Sequence, residues 1–159
     1  MKARLIASVV LAASVVLGTS ACNLVAPQAT TNIYDPSDGV SGRTGDLKIR
    51  NAMIIVDETG TDGNLVAAVT NGDDAQSLSI QFGEGEDGTV TASIPARSTV
   101  SFGTLEEDPI LLEGIDADPG SLVEVFFQYG NETGVKILVP VLNGELEEYS
   151  DLVPESASR

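Results

Sequence analysis

Leu122-Val123-Glu124-Val125-Phe126-Phe127-Gln128-Tyr129, followed by Gly130-Asn131-Glu132-Thr133-Gly134 and then Val135-Lys136-Ile137-Leu138-Val139-Pro140-Val141, is the stretch that decides the fold class. Its first part is rich in β-branched and aromatic residues. Val123, Val125, Phe127 and Tyr129 recur at period two, the repeat of a strand rather than a helix. Segment 130–134 turns the chain, and Val135, Ile137, Val139 and Val141 resume the same period around Lys136.

The same grammar extends upstream. Leu78, Ile80 and Phe82 alternate with Ser77, Ser79 and Gln81, which is a half-buried strand. Val90, Ala92 and Ile94 follow, ended by Pro95; Val100 and Phe102 make another strand, and Ile110–Leu112 is brief and apolar. Leu65, Ala67 and Val69 alternate with Val66, Ala68 and Thr70 before the turn Asn71-Gly72-Asp73-Asp74. Leu47, Ile49 and the run Met53 to Val56 read as a strand pair or one long bent strand. Such runs recur about every 10 to 13 residues, and none keeps helical spacing for three turns. The expected fold is all-β: an antiparallel sandwich of about seven or eight strands in two sheets over residues 45–142.

Charge narrows the partners. The 159 residues carry 24 Asp and Glu against 8 Lys and Arg, a net −16, with no His. Removing residues 1–21 would take away Lys2 and Arg4, leaving 6 basic against 24 acidic residues, or −18. A surface of that sign repels nucleic-acid phosphates and favours cationic partners. Aromatics at 4% with no Trp argue against a stacking platform for bases or sugars.

The N-terminus reads as an export signal. Lys2 and Arg4 precede an apolar run from Leu5 to Leu17, interrupted by Ser8 and Ser14, and then Gly18, Thr19, Ser20 and Ala21. The run is shorter than the roughly 20 residues that a membrane span needs. Cys22 follows and is the sole cysteine, so no internal disulfide can form. Thr19-Ser20-Ala21-Cys22 resembles a bacterial lipobox, with Thr19 where Leu is usual. The resemblance implies a lipoprotein signal peptide over 1–21 and palmitate-type acylation of Cys22. Two or three acyl chains hold a protein on a membrane far more firmly than one. Residues 22–44, with Pro27, Pro36, Gly39 and Gly42, are expected to be a flexible tether with a short ordered stretch around Ile33 and Tyr34. Residues 143–159, carrying Glu145, Glu147, Glu148, Asp151 and Glu155, are expected to be a disordered acidic tail.

Little in this chain can do covalent chemistry. Without His, and with Cys22 assigned to lipid, a Ser–Lys pair is the remaining nucleophile and base; Lys48 and Lys136 both fall in expected strands without a serine motif. Paired carboxylates could serve glycoside hydrolysis, but the acids lie in Gly-containing turns, where solvation explains them. No catalytic residue and no cofactor is therefore assigned. Zinc and copper prefer imidazole and sulfur, which the exported part lacks beyond Met53. Asp116, Asp118 and Gly120 form a D-x-D-x-G fragment, without the twelve-residue loop and closing Glu of a calcium hand. Asn131-Glu132-Thr133 matches a glycosylation acceptor but reads here as turn chemistry.

Two segments resemble known families. Tyr34-Asp35-Pro36-Ser37-Asp38-Gly39-Val40 followed by Gly45-Asp46-Leu47-Lys48-Ile49-Arg50-Asn51 resembles the start of actinobacterial lipoproteins of the LpqE type. Pro109 through Val141 is similar to the PCuAC periplasmic copper chaperone domain: a short apolar strand, Gly114-Ile115, a Pro119-Gly120 turn, a long apolar strand, a glycine turn and a last strand near Pro140-Val141. The likeness spans roughly residues 33–142 and implies a cupredoxin-like or immunoglobulin-like sandwich. Copper-binding members place His and Met two apart where this chain has Pro109 and Leu111, with Glu113 following, so the copper ligands do not carry over and copper is not expected.

The expected function is a non-enzymatic adaptor, lipid-anchored through Cys22 to the outer face of the cell membrane, that binds another envelope protein. The LpqE likeness implies an accessory subunit of a membrane respiratory complex. The expected contact loops for a basic partner are Asp73 and Asp74; Glu84, Glu86 and Asp87; and Glu106, Glu107 and Asp108. The alternative is a carrier of a small ligand or cation.

Overall fold

The computed structural model describes residues 2–25, 34–83, 88–107 and 109–155, with side chains in the first of these stretches described only for 2–16. The chain divides into two units, Met1–Tyr34 and Asp35–Arg159.

In the first unit, α1 spans Lys2–Val25. The hydroxyls of Ser8 and Ser14 donate to the carbonyls of Arg4 and Val10, each at 2.9 Å, so both polar interruptions are satisfied within the helix. Among the described residues, no helix is long and apolar enough to cross a membrane. Cys22 lies within α1, its side chain outside the described residues.

Among the described residues, the second unit contains nine strands: β1 (Val40–Thr44), β2 (Leu47–Val56), β3 (Gly63–Asn71), β4 (Gln76–Phe82), β5 (Thr89–Ile94), β6 (Thr99–Phe102), β7 (Ile110–Leu112), β8 (Leu122–Tyr129) and β9 (Val135–Leu142). The all-β class expected from the alternating runs is what forms. One ladder runs β5-β4-β8-β9, all antiparallel; the other joins β2, β3 and β6, with β1 on β2 and β7 on β3. β9 links the two. Residues Val135 to Pro140 pair with β8, whereas Val141 and Leu142 pair in parallel with Ile54 and Ile55 of β2. The assembly is thus one mixed, nearly closed sheet folded into two layers.

Leu47 to Val56 is one long strand, kinked at a bulge between Arg50 and Met53. Asn51, at φ 49°, occupies the bulge. Left-handed backbone is tolerated by Asn better than by most residues. The kink falls where β2 exchanges β1 for β9 as its neighbour. Before it, Leu47 and Ile49 alternate with exposed Lys48 and Arg50; after it, Ala52 to Val56 are all buried.

The interior between the layers is apolar. Leu47, Ile49, Ile54, Leu65, Leu78, Ile94, Leu112, Phe127 and Val139 have no exposed surface. Each contributes about 1.5–3 kcal/mol on burial. The two described ion pairs, Arg43–Asp46 at 3.9 Å and Lys136–Glu124 at 2.7 Å, are exposed. Pairs of that kind give about 0–1 kcal/mol, so apolar burial holds this fold.

Three boundaries depart from expectation. The first strand begins at Val40, inside the segment read as tether, because Asn51 reaches back to it: its Oδ1 accepts from the Gly39 amide at 3.0 Å and from the Ser37 hydroxyl. Tyr34 is 77% exposed outside any strand, and Ile33 lies outside the described residues. The largest correction concerns the tail. Residues 143–155 are packed rather than disordered: α2 (Glu147–Ser150) places Tyr149 over Met53, Ile55 and Val66, with Leu142, Leu152 and Val153 around them. The reason is that β2 and β3 are apolar on both faces, and the outer one needs a cover.

Candidate functional site

The expected contact loops fall in different places. Asp73 and Asp74 are exposed in a turn built by Asn71, itself only 2% exposed. The Asn71 Oδ1 accepts from the Asp73 amide at 3.0 Å, while Nδ2 donates to the carbonyls of Asp74 at 2.7 Å and Pro95 at 3.0 Å. A shallow depression beside the turn brings Asp73 to Arg43, Asp46 and Lys48, so this corner carries both signs of charge. Glu106 and Glu107 lie in the loop between β6 and β7, which leaves β3 opposite Ala67 and returns opposite Leu65. Four to six residues of β3 separate the two loops, about 13–20 Å. Glu84, Glu86, Asp87 and Asp108 lie outside the described residues.

The structure brings Glu106 and Glu107 to carboxylates of the C-terminal segment, whose composition alone predicts a disordered tail. A cleft of about 590 Å³ opens between the β6–β7 loop and the C-terminal segment, lined by Glu106, Glu107, Asp151 and Glu155 over Asn64, Pro109, Leu111, Leu152, Val153 and Pro154. A neighbouring hollow extends it past Leu105 to Glu148. No Lys or Arg lines either surface among the described residues. Leu105, 73% exposed, stands at the rim as an apolar contact.

Asn64 holds the two walls together. Its Nδ2 donates to the carbonyls of Gly103 and Leu152, each at 3.0 Å, joining the β6–β7 loop to the C-terminal segment. At Gly103, with φ 68°, a Cβ would come to 2.6 Å from both the Asn64 Oδ1 and the Leu65 carbonyl oxygen, so no side chain fits there. That Oδ1 is buried and has no hydrogen-bond partner among the described residues. Glu148, Asp151 and Glu155 were missed as site residues. Their signal was the apolar spacing Tyr149, Leu152, Val153 within the acidic stretch, three and four residues apart as on one helix face, matched to the two-faced run Ala52 to Val56.

The remaining candidates are dispersed. The Lys136 amine donates to Glu124 on the outer sheet face, and Lys48 is exposed on β2. Asp116, at φ 46°, and Asp118 are exposed in a turn whose Ala117 amide donates to Gly60. Among the described residues, no three His, Cys, Asp or Glu side chains are gathered as a metal ion requires. Pro109 and Leu111, aligned with copper-ligand positions by resemblance, line the acidic cleft; Met53 is 4% exposed beneath Tyr149 on another surface. The donors around the cleft are carboxylate and amide oxygens, which do not suit a soft metal.

No family model matches the chain, and no curated protein matches it. Among solved structures, the apo PCuAC domain of PmoF2 superposes with a TM-score of 0.53 at 19% identity, covering 67% of this chain and 98% of that one. The copper-bound PCuAC domain of PmoF2 gives 0.49 at 18% identity, covering 65% of this chain and 98% of that one. The apo PCuAC domain of PmoF1 gives 0.48 at 12% identity, covering 64% and 99%. The first likeness establishes a shared fold with the PCuAC domain.

Proposed function

We propose that this chain is a non-enzymatic binding module that holds a cationic segment of another envelope protein in the cleft between the β6–β7 loop and the C-terminal segment. The observation that carries the reading is the grouping of Glu106, Glu107, Asp151 and Glu155 around one cleft with no basic residue in its lining among the described residues. Exposed carboxylates in water steer and select more than they bind, so contact with the Leu105 rim supplies the apolar part of the affinity. The PCuAC fold supports descent from a carrier scaffold. The absence of His from the sequence, and the oxygen donors around Pro109 and Leu111, support loss of the copper cargo. The lipobox-like Thr19 to Cys22 supports display on the outer face of the cell membrane through acyl chains. The LpqE-like start supports docking on a membrane respiratory assembly.

Affinity purification of the tagged full chain from detergent-solubilised membranes, read by mass spectrometry, tests this. A stoichiometric partner recovered with wild type and lost with Glu106→Lys/Glu107→Lys is expected. Recovery should also fall as salt rises, because surface charges are screened beyond about 8 Å at physiological ionic strength. Recovery of this chain with no other protein under mild conditions would refute the reading.

A second reading, a carrier of a small cation, is favoured by the unpartnered Asn64 Oδ1 beneath the same cleft. Calorimetric titration with calcium and with spermidine separates the two. Heat that vanishes in the Glu106→Lys/Glu107→Lys variant, with no protein partner recovered, would favour the carrier.

A further inference from the structure

The outer face of the β5-β4-β8-β9 ladder has a composition unlike the rest of this molecule. Val125, Phe127, Ile137 and Val139 point inward, which turns Leu122, Glu124, Phe126, Lys136, Leu138 and Pro140 outward. The adjoining strands add Ser77, Ser79 and Gln81, then Thr89, Thr91 and Ser93. Of the 24 acidic residues in the chain, only Glu124 lies in these four strands, and the only basic one there is Lys136. The two pair at 2.7 Å, so the face is electrically closed. Leu122 and Leu138 are 61% and 57% exposed upon it.

We propose that this face is a two-fold interface between two copies of this chain. The argument is one of charge. Two molecules of net −16 repel each other across most orientations. Apposing these sheets brings together hydroxyl, amide and leucine side chains and a neutral pair instead of carboxylates. A basic partner gains nothing from a neutral face and is drawn to the acidic cleft. Around a two-fold axis the same patch of both copies meets itself, so each contact of one residue with another is made twice. Lys136 of each copy can then exchange its Glu124 for the partner copy's, so no charge is left unpaired on association. Four strands about 4.8 Å apart and about seven residues long project roughly 19 by 23 Å. Side-chain relief enlarges that area only toward the ~800 Å² per partner of a standard interface, so the dimer is concentration-dependent.

The proposal does not rest on the acidic cleft, and its test separates the two. Sedimentation equilibrium of the full chain in non-ionic detergent, density-matched, should give a monomer–dimer equilibrium. Leu138→Arg should weaken it by about tenfold or more, since it places an unpaired charge in the interface. Gln81→Arg, on the same face but in β4, should do the same and guards against misfolding of the first variant. Leu146→Arg, which makes the same change of net charge as the face variants at an exposed leucine elsewhere, should not weaken the equilibrium, and neither should Glu106→Lys/Glu107→Lys, which lowers the net negative charge. Wild type that stays monomeric to millimolar concentration, or a dimer indifferent to both face variants, would overturn the proposal.

Discussion

Tyr149 donates its hydroxyl proton to the Asp38 carboxylate at 2.5 Å, although 111 residues of chain separate them. The bond ties α2 to the segment entering β1. With the Asn64 bond to Leu152, it fixes the C-terminal segment at two points and gives the acidic cleft its second wall.

Replacing Tyr149 tests how far that wall depends on one side chain. Tyr149→Phe keeps the ring over Met53, Ile55 and Val66 and is expected to cost about 1 kcal/mol. Tyr149→Ala removes the ring as well and should cost roughly 3 kcal/mol. Urea unfolding checks the order. Near-equal effects would place the energy in the hydroxyl rather than the ring.

Alkaline pH should loosen the same contact. Tyr149 is pushed up to about 12, first by its hydrogen bond to Asp38 and then by burial. Its ordinary value is near 10, so the folded state holds this proton more tightly than the unfolded one. The resulting stability is fully present below pH 10 and is lost as pH rises toward 12. Melting temperature should therefore fall more steeply over that interval in wild type than in Tyr149→Phe.

At the β2 bulge, Asn51 combines φ 49° with an Oδ1 that receives the Gly39 amide and the Ser37 hydroxyl. Asn51→Asp keeps both properties and should be nearly neutral. Asn51→Gly keeps the backbone but loses the acceptor, at about 1 kcal/mol. Asn51→Ala loses both, and the left-handed backbone adds about 1 kcal/mol or more. The order Asp, Gly, Ala in denaturant midpoint is the measurement. An Ala variant as stable as Gly would remove backbone strain from the account.

Cys22→Ala is expected to shift the protein from the membrane fraction to the soluble one, or to leave it unprocessed at full length. Fractionation with immunoblotting and intact-mass measurement decides it. A variant that stays membrane-bound at the mature mass would remove the lipid anchor.

Some of this was legible in residue order, and some was not. Strands β4, β8 and β9 carry clean period-two alternation, because one face of each meets the core and the other meets water. β2 after its kink offers no alternation, since Met53 and Ile55 are covered as fully as Ile54 and Val56. Its cover lies about 90 residues away in an acidic stretch that looked solvated. Glu148, Asp151 and Glu155 belong to the cleft only because Tyr149 is anchored beneath them, and local composition carries no record of that anchor.

Sequence alone determined the β class, the sign of the surface and the lack of imidazole, because periodicity and composition are properties of the chain taken in order. Tertiary structure decided that β9 joins both layers, that the C-terminal segment is ordered, and that distant carboxylates share one cleft while Glu124 and Lys136 neutralise another face. Those facts depend on which surfaces remain uncovered once the strands have paired, a balance of burial that exists only in the folded molecule.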